Sequence, residues 1–156
     1  MGVDFAHLES PLKAEPLFPV EKPDGEKSLS ELARQSWLVN YIRRTSPKVL
    51  VAANVNAAKR GPKAAAQAKK EGLLAGFPDL TIVWDVADGH VDGPTTAFIE
   101  MKGYDGSGSA GKLSQAQIET CNRLYLCGVP VACFFSAKSA IRWLRSLGCP
   151  LKEPLS

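Results

Sequence analysis

The sequence predicts one α/β domain in which helices flank a mixed central sheet. Two observations carry this prediction. The chain has 156 residues, a length that suits a single core. Helix-like and strand-like apolar patterns alternate along it, in the order α-β-α-β-β-α-β-α, and this alternation indicates a mixed sheet covered by helices. We expect an extended proline-rich arm over residues 1–27, the domain over 28–148 and a tail over 149–156.

The first half of the domain should begin with an amphipathic helix. An apolar stripe recurs every four residues between Ser28 and Pro47, and Pro47 sets its end. The members of the stripe are Leu29, Ala33, Trp37 and Tyr41, with Leu32 and Leu38 widening it. Residues 48–53 are apolar and predict a short strand. Pro62 fits the first turn of a second helix that ends near Glu71.

The second half should hold a hairpin, a helix, a strand and a last helix. Asp88-Gly89 is a hairpin signal between two apolar runs. The predicted ranges are 80–86 and 95–102 for the paired strands, 114–127 for the helix, 129–135 for the strand and 136–147 for the last helix. The helix over 114–127 can serve as a right-handed crossover between parallel neighbours.

Composition and charge narrow the functional classes. The net charge of +3 is too small to predict nucleic-acid binding, but five basic residues and no acid lie between Lys59 and Lys70. Such a block can neutralise phosphates or form a solvated helix face. The four cysteines form no C-x-x-C pair, so we expect buried thiols in a reducing cytoplasm. No apolar stretch approaches the roughly 20 residues of a membrane span, which predicts a soluble protein.

Two short motifs place charged side chains at the tips of predicted strands. Asp79 begins one apolar run, and Glu100 and Lys102 end another. Alternation along a strand puts Glu100 and Lys102 on one face. Two carboxylates can hold Mg²⁺ together with water and substrate phosphate, and a lysine adds a compact positive charge, a set suited to metal-assisted phosphodiester cleavage. The structural alternative is a strand start at Asp79 and a salt bridge between Glu100 and Lys102 on an edge strand.

Three motifs together resemble the VRR-NUC family, the virus-type replication-repair nuclease domain of the PD-(D/E)XK superfamily. They are Gly76-Phe77-Pro78-Asp79-Leu80, Phe98-Ile99-Glu100-Met101-Lys102 and Leu113-Ser114-Gln115-Ala116-Gln117. The resemblance spans roughly residues 28–147 and implies a restriction-endonuclease-like core. It implies an endonuclease that uses Mg²⁺ or Mn²⁺ on branched or duplex DNA, Holliday junctions included. Stand-alone phage-type members resemble Holliday-junction resolvases that work as homodimers, so the resemblance implies a homodimer. It would act in the host cytoplasm if the protein is phage-encoded.

The resemblance also implies roles for individual residues. Asp79 and Glu100 would bind the metal with the Met101 carbonyl, and Lys102 would hold or activate the attacking water. Gln117 would reach back to this catalytic set, and Glu31 would complete the metal shell.

The roles of Glu31 and Gln117 have a structural alternative. Ser28 with Glu31 and Ser114 with Gln117 both match a capping box, which would use these side chains as helix caps. The expected DNA-binding residues are Asn54, Asn56, Lys59, Arg60, Lys63, Lys69, Lys70 and Lys112.

Other interpretations stay open beside this one. A non-catalytic nucleic-acid-binding module could use the same fold and the same basic segment. The segment from Gly106 to Leu113 nearly matches a phosphate-binding P-loop, but Leu113 replaces the Mg²⁺-binding hydroxyl, and we expect no nucleotide cofactor. Trp37, Trp84 and Trp143 are expected to pack rather than to stack on bases.

Overall fold

The computed structural model describes residues 12–55, 61–85 and 92–155. The helices are α1 (Glu31–Thr45), α2 (Pro62–Lys70), α3 (Gln115–Leu126) and α4 (Ala137–Ser146), and the strands are β1 (Leu50–Ala53), β2 (Leu80–Val83), β3 (Thr96–Met101) and β4 (Val131–Phe134). This order confirms the predicted fold class. The Asp88-Gly89 turn lies outside the described residues. No helix in the described ranges is long and apolar enough to cross a membrane.

The four strands form one mixed sheet in the order β1-β2-β3-β4. β2 pairs antiparallel with both β1 and β3, whereas β3 and β4 are parallel and joined through α3. The register sets Leu80, the first residue of β2, opposite Ile99. The residue before β2, Asp79, therefore lies beside the end of β3, where Glu100 and Lys102 follow.

The alternation of β3 divides its side chains between two apolar clusters. Ala97, Ile99 and Met101 are fully buried in the larger cluster, which α1 and α4 cover. Phe98 packs instead on the smaller cluster, whose buried members are Phe18, Cys121, Val131 and Cys133. Glu100 and Lys102 share parity with Phe98, so they lie on the α3 side of the sheet.

The buried face of helix α1 is displaced from the predicted stripe, and Leu38 is the one predicted member that is fully buried. Its buried residues are Arg34, Leu38 and Ile42, whereas Leu32 is 69% exposed and Trp37 is 43% exposed. The expected packing role of Trp37 is thus only partly right, since its ring stacks on Tyr41 with centroids 5.1 Å apart. The reason is that a charged residue, Arg34, occupies a core-facing position. Trp84 is buried and Trp143 is partly buried, as expected.

The segment from residue 12 to 27 is extended and packs on the domain. Val20 forms a parallel bridge with Cys133, and backbone hydrogen bonds of 2.9 Å join Pro19 and Glu21 to the same residue. Phe18 is buried in the smaller cluster. The segment therefore covers the outer edge of β4, which would otherwise present unpaired backbone groups.

Three of the four cysteines are buried, as expected, but the prediction is wrong for Cys127, which is exposed at the C-cap of α3. Burial raises the pKa of the Cys121, Cys133 and Cys149 thiols to about 12. These thiols stay protonated at neutral pH and act as small apolar side chains.

Candidate active site

Asp79 is held rigidly where β2 begins. Its Oδ2 accepts a 2.9 Å hydrogen bond from the Met101 amide, which fixes the carboxylate across the end of β3. Asn54 supports the same point, because its amide donates to the Asp79 carbonyl at 2.7 Å and its Nδ2 donates to the Pro78 carbonyl at 2.8 Å. The Asn54 Oδ1 accepts from Thr81 at 3.0 Å. Asn54, expected to contact substrate, thus braces the Pro78-Asp79 motif.

Glu100 and Lys102 form a close buried pair. The Lys102 Nζ lies 2.7 Å from the Glu100 Oε1, and the two residues are only 6% and 1% exposed. The Lys102 amide donates to the Phe134 carbonyl at 2.9 Å, which anchors the lysine backbone to β4. The pair is therefore not a surface ion pair on an edge strand, since β3 is a central strand.

Gln117 both caps a helix and contacts Glu100. Its Oε1 accepts from the Ser114 amide at 2.9 Å, and the Ser114 Oγ accepts from the Gln117 amide at 3.2 Å, completing the capping box of α3. Its Nε2 donates to the Glu100 Oε1. The capping role and the site role of Gln117 are compatible, because the amide oxygen serves the cap and the amide nitrogen contacts Glu100.

Glu31 does not form the capping box expected with Ser28. The N-cap of α1 is Ser30, whose Oγ accepts from the Ala33 amide at 3.2 Å, so Glu31 is the first helical residue. Its Oε2 lies 3.9 Å from the Lys102 Nζ. A carboxylate in the first turn also interacts favourably with the helix dipole.

Two glycines allow the helix starts to approach the strand ends. A Cβ on Gly76 would lie 2.1 Å from the Ala116 carbonyl oxygen, and Gly76 has a positive φ of 74°. A Cβ on Gly103 would lie 2.2 Å from the Glu31 amide nitrogen. Backbone contact is therefore required on both sides of the site. Sequence reasoning missed this role, although Gly76 is the first residue of one motif and Gly103 directly follows another.

The carboxylates surround Lys102 with negative charge. Burial raises the pKa of Glu100 to about 7, the Asp79 carboxylate adds to that rise, and the Lys102 ammonium opposes it. Burial alone would lower the pKa of Lys102, but the charges of Glu100, Glu31 and Asp79 outweigh burial and raise it. Lys102 is therefore an ammonium at neutral pH.

The donor set fits a hard cation with open coordination positions. Within the described ranges, no group of three or more His, Cys, Asp or Glu side chains is arranged to hold a metal ion. The Glu100 Oε2, however, is buried and has no hydrogen-bond partner among the described residues. An orphaned carboxylate oxygen beside a second carboxylate suits Mg²⁺, which one or two protein carboxylates hold together with water and phosphate.

The remaining expected DNA contacts lie outside this cluster. Lys63, Lys69 and Lys70 are exposed on α2, and Lys112 is exposed just before α3. Asn56, Lys59 and Arg60 lie outside the described residues.

The glycine-rich segment from Gly106 to Leu113 does not form a phosphate-binding loop. The Asp105 Oδ1 accepts from the amides of Ser107 and Ser109 at 2.9 Å each, and from the Ser107 hydroxyl at 2.7 Å. These bonds, that from the Ser107 hydroxyl first, lower the pKa of Asp105. The loop's own carboxylate thus uses the amides that a phosphate would need.

The chain thus carries a buried acid–lysine cluster at the strand ends of a mixed α/β sheet. The sequence matches the VRR-NUC domain family over residues 24–137, and the chain belongs to that family. A solved structure described as a VRR_NUC domain protein is similar to it with a TM-score of 0.53 and 24% sequence identity, covering 76% of this chain and 88% of the other. At that identity the likeness shows the fold. A search of curated proteins finds no match.

Proposed function

We propose that this chain is a metal-dependent endonuclease that hydrolyses phosphodiester bonds in DNA. The observation that carries the proposal is the buried Glu100 carboxylate, whose Oε2 lacks a hydrogen-bond partner among the described residues while the charges of Asp79 and Lys102 act on it. A buried carboxylate with a spare oxygen is costly unless a cation or donor joins it. Membership of a nuclease family indicates that this cation serves phosphodiester chemistry.

Asp79 and Glu100, with the Met101 carbonyl, would hold Mg²⁺ or Mn²⁺, and Glu31 would add an outer carboxylate. When bound, the ion supplies Lewis-acid stabilisation of the charge that develops on the scissile phosphate. Gln117 keeps Glu100 in position through its Nε2.

Lys102 has the role of a fixed cation. Because the surrounding carboxylates raise its pKa, it stays protonated and can donate hydrogen bonds to an attacking water or a phosphate oxygen. It cannot accept a proton in that state, so we assign it to orienting water and stabilising charge.

The substrate would be branched or duplex DNA, with Holliday junctions as one such structure. The exposed lysines of α2 and Lys112 would contact phosphates without reading bases. Symmetric cutting of a four-way junction needs two sites at a fixed separation, which a homodimer would provide. The reaction would take place in the cytoplasm.

The test is a cleavage panel with purified protein on four-way, duplex and single-stranded DNA, each with Mg²⁺, Mn²⁺ or EDTA. We expect metal-dependent products from the wild type and from the control Lys152→Ala, which removes an exposed lysine of the tail. Lys102→Ala should give none. Intact but electrophoretically shifted DNA under all metal conditions would overturn the proposal and favour the non-catalytic binding module.

A further inference from the structure

Arg34 is a buried arginine with every donor in use. Its side chain is 3% exposed, and its five N–H groups make five hydrogen bonds of 2.6–3.1 Å. Two go to the Asp24 carboxylate, and the others go to the carbonyls of Glu26, Leu29 and Phe135. Only a guanidinium offers this number of donors in a fixed plane.

The pair with Asp24 is strong and partly shielded from water. The guanidinium binds both Asp24 oxygens, at 2.6 and 3.0 Å, and this contact lowers the pKa of Asp24. The rings of Tyr104 and Phe135 lie against the guanidinium, with centroids 5.6 and 5.9 Å from its carbon. Bidentate geometry and aromatic contact both favour arginine over lysine.

The hydrogen bonds of Arg34 join α1 to the 24–29 segment and to Phe135, and both partners lead to the active site. The Leu29 carbonyl accepts from the Arg34 Nε and also from the Tyr104 amide, each at 3.1 Å. Tyr104 follows Gly103, the glycine that contacts the start of α1. Phe135 follows Phe134, whose carbonyl anchors the Lys102 amide.

We propose that Arg34, held by Asp24, is a positioning residue that fixes the first turn of α1 so that Glu31 lies beside Lys102. Glu31 is one helical turn before Arg34 and follows directly on the Leu29-Ser30 segment that Arg34 binds. Loss of the guanidinium leaves the Leu29 carbonyl bonded to the Tyr104 amide alone and removes the link between α1 and Phe135, the residue after β4. The 3.9 Å approach of Glu31 to Lys102 then relaxes. The inference rests on the proposed site, not on its activity.

The test compares Arg34→Gln with Arg145→Gln in the full chain. Arg145 is the matched control, because it also binds a backbone carbonyl, that of Leu151, and a carboxylate, that of Glu153 at 2.9 Å, but on α4. Native-state hydrogen exchange reports the Tyr104 amide, and calorimetry reports Mn²⁺ affinity. Both are measured at equal intervals below each variant's Tm.

For Arg34→Gln we expect the exchange rate of the Tyr104 amide to rise more, relative to the wild type, than the rates of the buried amides of β2 and β3. We also expect the Mn²⁺ dissociation constant to rise about 10-fold, as it does when a partner that orients metal ligands is lost. Arg145→Gln should leave both unchanged. Asp24→Asn should move both in the same direction by less, and it replaces Arg34→Gln if that variant does not fold. Exchange at Tyr104 that merely tracks global stability, as in Arg145→Gln, would overturn the inference. Absence of Mn²⁺ binding in the wild type would instead count against the proposed function, and the exchange data would still decide the role of Arg34.

Discussion

The starts of α1 and α3 both reach the Glu100–Lys102 pair, but by different means. Both helices begin with a serine cap, and both contact a glycine that flanks a strand motif. At α3 the side chain at the third helical position, Gln117, closes the capping box and touches Glu100 as well. At α1 the cap is complete without Glu31, whose carboxylate faces Lys102.

This difference shows that a capping motif does not by itself exclude a functional role. An amide has a donor and an acceptor at separate atoms, so Gln117 can cap with its oxygen and donate with its nitrogen. At α1 the Ser30 hydroxyl supplies the cap, so the Glu31 carboxylate is not part of it and lies beside Lys102. The serine chosen as cap decides which case applies.

The largest effect on cleavage should come from removing the charged side chains of the site itself. We expect Lys102→Ala and Asp79→Ala each to lower the cleavage rate by about 10³-fold or more, since each removes preorganised electrostatic stabilisation. Circular dichroism should show that both variants keep their secondary structure. Wild-type cleavage rates in either purified variant would refute the assignment.

The two glycine contacts can be broken separately. Gly76→Ala and Gly103→Ala each place a methyl group within about 2 Å of backbone atoms, so we expect a loss of unfolding free energy of about 1–3 kcal/mol or more. Gly76→Ala should cost more, because its φ of 74° also disfavours a side chain. Gly106→Ala is the control, since no atom lies within 4 Å of its Cβ position. Denaturant unfolding measures all three, and an equal loss in the control would argue against the contact explanation.

Side-chain changes at the two helix starts should separate capping from function. Ser114→Ala and Gln117→Ala both remove capping bonds and should each cost about 0.5–2 kcal/mol. Only Gln117→Ala should also lower the cleavage rate, because it alone removes the donor to Glu100. Glu31→Gln should lower cleavage with little change in Tm, since Glu31 is not the cap. Equal cleavage by the two α3 variants would remove Gln117 from the site.

The pKa of Glu100 predicts how metal-free stability varies with pH. The folded value is about 7 against an ordinary 4.5, so between these values the folded protein holds a proton that the unfolded chain has lost. Stability therefore falls as pH rises through this window. Glu100→Gln lacks this titration. In EDTA, the Tm of Glu100→Gln minus the Tm of the wild type should therefore increase by several degrees between pH 4.5 and 7.5, at roughly 2–4 °C per kcal/mol. A constant difference in Tm across that range would contradict the raised pKa.

Much of the fold could be predicted because its signals are local. Pro62, Ser114 and Ser136 mark helix starts, and apolar periodicity separates helices from strands. The buried face of α1 could not be predicted in this way, because the burial of Arg34 depends on Asp24 and on Phe135, which lies 101 residues away. A pattern of apolar residues cannot reveal a charged residue whose partners arrive from elsewhere.

The proximity of Asp79 to Glu100 and Lys102 could be predicted from the two motifs, since antiparallel neighbours bring the start of one strand to the end of the next. The choice between Ser28 and Ser30 as cap of α1 could not, because both match the local preference. In the folded chain Ser30 is the cap, and Gly103 lies directly against the Ser30 and Glu31 backbone.

The claim that Asp79 and Glu100 hold one metal ion is tested most directly by calorimetric titration of Mn²⁺ into DNA-free protein at pH 8, above the pKa of Glu100. The account predicts saturable binding by the wild type that disappears in both Asp79→Asn and Glu100→Gln. Wild-type affinity in both variants would show that the two carboxylates do not hold a common ion.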